Sequence, residues 1–243
     1  MMPATLAMSV LGIIGAASMA PSIPDIVRRS TRPGVAPRLS MPALTALASI
    51  QTILIVIGAA WLGAHLGPRI GLSSRIFDSS EAPAAVIWAI ARLLLTGAAI
   101  GALGAGVAFA LDKPLVAYLR SLPLSARLLY GGLTEEVIIR WGLMTVVVWA
   151  VTRGVGSTTA GSANIAVVAG IVVVNAAFAA LHIPILKASA TPSASRSAVV
   201  IFVVSLPWGW LFWRYGIEAA MAAHMAFHAV VEALSRRRGP SPS

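Results

Sequence analysis

Seven apolar stretches, each long enough for a helix to cross a lipid bilayer, recur along the chain at about residues 4–20, 41–67, 84–111, 128–152, 163–183, 197–214 and 217–235. A spanning helix needs roughly 20 such residues, so these segments and their short connections use up the 243 residues. The expected fold is all-α, a polytopic transmembrane helical bundle of about seven spans. With 58% of residues hydrophobic and only 11% charged, the composition lies outside that of water-soluble domains. We read one integral domain: N-terminal spans and an interfacial helix over 1–127, a core carrying the chemistry over 128–235, and a disordered basic tail over 236–243. In the third stretch, Arg92 is expected to mark the start of the span proper.

The net charge of +10 does not point to nucleic acid here, because the basic residues fall in short loops where lipid headgroups and topology account for them. One alternate set of loops holds twelve of them: Arg28, Arg29, Arg32, Arg38, Lys113, Arg120, Arg127, Lys187, Arg196, Arg236, Arg237 and Arg238. The other set holds four, Arg69, Arg75, Arg153 and Arg214. Cytoplasmic loops carry the excess, so the N-terminus is expected outside and the C-terminus in the cytoplasm. Trp61, Trp88, Trp149 and Trp213 fall at the outer span ends, as an aromatic belt would. Ser18, Met19 and Ala20 also resemble a signal-peptide cleavage site. Cleavage there would carry four arginines across the membrane, so the first stretch is read as a span.

Residues 112–127, with Leu115, Val116, Tyr118 and Leu119 between charged neighbours, suit a short helix on the cytoplasmic surface. Gly97, Gly101, Gly104 and Gly106 suit close helix packing. No cysteine is present, which excludes disulfides and thiolate chemistry.

Charge inside a bilayer demands a reason, since an ionisable group at a span centre costs roughly 2.5 to 3.5 kcal/mol on the mildest scale. Glu135, Glu136 and Arg140 lie in the fourth span. On an α-helix Glu136 and Arg140 can pair, while Glu135, about 100° around, is expected to face elsewhere as a free carboxylate. A poorly solvated carboxylate holds its proton more tightly and is a candidate proton acceptor.

In the fifth span Asn175, Phe178 and His182 share one helix face, and in the last span His224 and His228 do the same. Depths counted from the cytoplasmic span ends are about 10 Å for Glu135 and His228, about 16 Å for His224 and near the surface for His182. Three helices thus offer a carboxylate and three imidazoles at compatible depth. His65, near the outer end of the second span, reads as an interfacial residue.

The order of Glu135-Glu136-x-x-x-Arg140, Phe178-x-x-x-His182 and His224-x-x-x-His228 resembles the CPBP family, the CAAX protease and bacteriocin-processing (Abi) group, over about residues 128–235. The resemblance implies a glutamate-dependent intramembrane endopeptidase with its site open to the cytoplasm. It implies that Glu135 and His182 activate a water, that His224 stabilises the oxyanion with His228 as a second donor, and that Glu136, Arg140 and Phe178 support the site; Asn175, on the helix face of Phe178 and His182, is expected to support it too. His228 stands where the family usually has Asn, and Trp141 where it usually has Gly; the latter is expected to reshape the cavity.

Peptide or protein substrates, lipidated ones included, and membrane lipids are the partners so implied, with the cell membrane as location and no cofactor. Three other readings stay open. Glu135, His182 and His224 or His228 could bind zinc, although Met225 stands where zinc proteases carry Glu. The polar groups could merely hold helices together in an immunity or scaffold protein, or they could relay protons.

Overall fold

The computed structural model describes residues 2–30, 39–77, 83–154, 160–189 and 191–237, all helical or connecting. The helices are α1 (Met2–Met19), α2 (Ile23–Ser30), α3 (Met41–Leu66), α4 (Pro83–Leu111), α5 (Lys113–Arg120), α6 (Leu124–Gly154), α7 (Ala160–Ala188), α8 (Ala194–Tyr215) and α9 (Ile217–Arg237). Seven are long and apolar enough to cross a membrane. They coincide with the seven stretches of the sequence.

Some boundaries differ. The fifth span continues past 183 through Pro184 to Ala188, because Leu186 is fully packed and holds the last turn in place despite the lost backbone donor. Arg92 does not mark a span start: the apolar segment runs from Ile87 to Leu111, with Arg92 exposed inside it. Arg236 and Arg237 of the expected tail finish α9. Residues 238–243 lie outside the described residues, as do Arg32 and Arg38 of the basic set.

Each end of the bundle is tied by a buried carboxylate. Asp112, fully buried, caps α5 by accepting from the Leu115 N–H (3.0 Å) and holds the start of α8 through the Ser197 hydroxyl (2.7 Å). Glu218 at the start of α9 accepts from the Ser74 hydroxyl and from the backbone N–H groups of Arg75 and Ile76 (3.1 Å each). At the Asp112 end Arg127 pairs with Glu232 (2.7 Å), Arg236 pairs with the same carboxylate, and Arg29 reaches Ser121 (3.2 Å). Arginines counted together in alternate loops thus share one end of the bundle.

Small residues let α4 and α9 touch. A Cβ on Gly97 would strike the Ala219 carbonyl, and one on Gly101 the Ala223 carbonyl. Gly106, by contrast, faces open space and plays no part in this contact. Replacing Gly101 with Ala should cost about 1–3 kcal/mol, read as a lowered unfolding midpoint in detergent; an unchanged midpoint would contradict the contact.

The first helix packs on α6. The Thr134 hydroxyl donates to the Gly12 carbonyl (2.7 Å), and Gly15 lies against Thr134 and the Leu129 carbonyl. Thr134 immediately precedes the glutamate pair, so α1 braces the turn that carries it.

Candidate active site

The helix bearing the glutamates is wound differently from its neighbours. Arg127–Glu135 and Val137–Met144 are π-helical, with hydrogen bonds closing between residues five apart, a geometry found mostly as single turns at functional sites. Each residue advances through a smaller angle than in an α-helix. Glu135 therefore does not face elsewhere: both glutamates turn to His224 of α9. Glu136 Oε1 lies 2.7 Å from its Nδ1, and Glu135 Oε2 lies 3.8 Å from its Nε2.

Glu136 is fully buried and pairs with Arg140 (3.1 Å), as the spacing predicts. Arg140 in turn donates to Asn175 Oδ1 (2.9 Å), whose amide donates to the Ile171 carbonyl (2.7 Å). The guanidinium also lies over the rings of Phe178 (4.9 Å) and Trp208 (5.5 Å). A chain of contacts thus runs from α7 through α6 to α9, fixing the imidazole of His224 by its Nδ1.

These hydrogen bonds also fix protons. A carboxylate paired with a guanidinium only accepts, so His224 carries a hydrogen on Nδ1 and, when neutral, a bare lone pair on Nε2. His182 Nδ1 lies 2.8 Å from the Phe178 carbonyl, which likewise only accepts, so its Nε2 is also the acceptor nitrogen in the neutral ring. An oxyanion-stabilising role for His224 would require the imidazolium form. His182 lies about 9 Å inside the end of α7, deeper than the sequence count suggests, because that helix is longer.

Glu135, His182, His224 and His228 line one cavity of about 570 Å³, together with Phe178, Trp208, Arg127, Tyr118 and Tyr130. Glu135 is partly exposed to it, its side chain 21% accessible against 0% for Glu136. The rest of the wall is mostly apolar and extends to Ile23, Ile26 and Val27 of α2 and Ala48 of α3. Among the described residues no three His, Asp or Glu side chains come together as a metal-binding group.

Several contributors are not foreseen from the sequence. Trp208 stacks on His224 (centroids 4.2 Å apart, 30° between planes), and His228 stacks on it at 5.1 Å. A tryptophan mid-span, away from the interfacial belt, is the signal that could have found it. Gly131 matters because a Cβ there would lie 3.0 Å from His224 Nε2 and 3.1 Å from His228 Nε2. Tyr118 enters the cavity from α5, where burial, then the nearby charge of Glu135, push its phenol up to about 12. It keeps its proton at neutral pH.

Trp141 does not reshape the cavity. It points to α3, fits the notch left by Gly63 and donates to the Ala60 carbonyl (3.1 Å). His65 packs against Trp61 in a tilted pair (centroids 4.4 Å apart) and is absent from the cavity wall.

Helical spans of this length and a polar centre walled by apolar side chains define a multi-pass membrane protein with a buried polar site. The family model described as type II CAAX prenyl endopeptidase Rce1-like matches residues 118–230, so the segment that carries the site is similar to that family. The matched segment begins at the interfacial helix and includes every site residue named above except the α2 and α3 part of the wall. No curated protein and no solved structure matches.

Proposed function

We propose that the chain is an intramembrane endopeptidase that hydrolyses a peptide bond of a membrane-associated, lipid-modified substrate, using a water activated by Glu135 and His182. The observation that carries this reading is the shared cavity: a partly exposed carboxylate and three imidazoles from three spans line a chamber whose remaining wall is apolar. A wall of this kind suits a prenyl or acyl chain beside the polar centre.

In the reaction, water held at Glu135 gives that carboxylate a proton as its oxygen joins the scissile carbonyl carbon. The bare Nε2 of His182 is suited to hold the second hydrogen of the water, and that of His224 to accept from the Glu135 carboxyl once it has taken up its proton. Collapse of the tetrahedral species breaks the C–N bond, and Glu135 returns its proton to the departing amine. Glu136, Arg140, Asn175 and Phe178 set the position of His224. In this reading the arginine-rich end of the bundle faces the cytoplasm, from which the substrate enters, and the membrane is the cell membrane.

The reading takes the reaction to be metal-free. Purified protein in proteoliposomes, given an internally quenched peptide with a farnesylated cysteine three residues from its end, should cleave it and keep its rate after exhaustive chelation. Loss of cleavage that added Zn²⁺ restores would instead make Glu135, His182 and His224 metal ligands.

A further inference from the structure

A site that makes a tetrahedral intermediate needs hydrogen-bond donors aimed at the developing oxyanion, and removing one such donor costs about 10²–10³ in kcat. Around Glu135 the acceptors are plentiful and the donors few. Glu135 and Glu136 accept, and the nitrogens that neutral His182 and His224 have left over accept too. Arg140 gives its terminal nitrogens to Glu136 and Asn175, and its Nε is sealed by packing away from the cavity. Arg127 is tied by Nε to the Leu122 carbonyl (3.2 Å) and by one terminal nitrogen to Glu232, and its other terminal nitrogen is unpartnered but sealed by packing. His228 donates on a given nitrogen only in one tautomer or when charged.

Two phenols line the cavity with hydroxyls that have no partner among the described residues, Tyr118 on α5 and Tyr130 on α6, and Tyr130 is the one carried by the helix that bears Glu135. Its hydroxyl is not among the atoms sealed by packing. Tyr130 is also the neighbour in sequence of Gly131, which both Nε2 atoms of His224 and His228 approach.

The winding of the helix explains the juxtaposition. Five residues along an α-helix would turn Tyr130 about 140° away from Glu135. The stretch Arg127–Glu135 is π-wound, and closing its turns between residues five apart brings position 130 beneath position 135. The phenol and the carboxylate then face the same chamber.

Building on the proposed peptidase reading, we infer that Tyr130 is a further catalytic residue, its hydroxyl donating to the carbonyl oxygen of the scissile bond as that oxygen becomes negative. Water adds to the carbonyl carbon from the side of Glu135, the C=O π pair moves onto oxygen, and the phenol O–H donates to it without surrendering its proton. When the C–N bond breaks the pair returns, and the hydroxyl is left as it began. A neutral phenol does this at any pH at which it keeps its proton.

The test uses full-length protein in proteoliposomes and the quenched farnesylated peptide. Tyr130→Phe keeps the ring and removes the donor; kcat should fall about 10²-fold with KM within about twofold of wild type. Tyr215→Phe, far from the cavity at the end of α8, should leave both unchanged. A Tyr130→Phe protein with wild-type kcat overturns the assignment, as does a change in KM alone, which would make Tyr130 a binding contact.

Should the Phe protein fail to elute as wild type does, 3-fluorotyrosine at position 130 decides instead. It preserves shape and hydroxyl while strengthening the donor; a kcat shift of about twofold or more supports the role, and no shift overturns it. Glu135→Gln in the same assay separates the two levels. If it is inactive while Tyr130→Phe is fully active, only the role of Tyr130 falls; if it cleaves at the wild-type rate, the peptidase reading falls and Tyr130 with it.

Discussion

Glu135→Gln should abolish peptide cleavage, by about 10²–10⁴-fold or more, while the protein still folds and elutes as wild type. General-base catalysis is worth that much, and the amide cannot take a proton from water. Folding should survive because Glu135, unlike its neighbour, has no salt bridge with Lys or Arg among the described residues and is partly open to the cavity. An isosteric amide fits the same space. The comparison is one of initial rates with the quenched farnesylated peptide, accompanied by thermal unfolding in detergent. An unfolded Gln protein, or one that cleaves normally, would favour the scaffold reading, in which these polar groups serve only to hold helices.

Arg140→Leu should have the opposite signature, a large loss of stability. It would leave Glu136, fully buried, with no cation beside it, and removing one partner of a buried ion pair costs about 3–5 kcal/mol. It would also free Asn175 Oδ1 and uncover the faces of Phe178 and Trp208. Replacing both members, Glu136→Leu with Arg140→Leu, should recover much of the stability, because no charge is then stranded. Activity should not return, since His224 Nδ1 has lost the acceptor that orients it. If the double variant regained cleavage, the contact between Glu136 and His224 would be incidental.

Much of this molecule was legible before its structure. Hydropathy finds all seven spans because lipid leaves a helix little choice but an apolar surface. The site residues stand out because titratable groups in such segments are rare: Glu135, Glu136, Arg140, His182, His224 and His228 fall around a single cavity or directly behind its wall. The small-residue faces at Gly97 and Gly101 could likewise be read as packing surfaces.

What escaped reading depends on winding and on partners distant in sequence. A periodicity of 3.6 places Glu135 away from Glu136 and Tyr130 away from both; nothing in Arg127–Met144 announces π geometry, so the convergence on His224 and the presence of Tyr130 were invisible. Trp141 departs from the family pattern and suggested an altered cavity, but its partner is Gly63 of α3, about eighty positions earlier. The apolar wall supplied by α2 exists only because that helix folds back beside α3 and α7, and a pattern read one segment at a time does not contain it.

The central claim, that an acid on α6 and an imidazole on α7 act together on one water, is tested most directly by a double-mutant cycle of Glu135→Gln and His182→Ala, scored as the rate of farnesyl-peptide cleavage. Groups that work as a unit are strongly non-additive, so the doubly substituted enzyme should be no slower than the worse of the two single variants. Losses that multiply would mean the two side chains act on separate events, and would contradict the account.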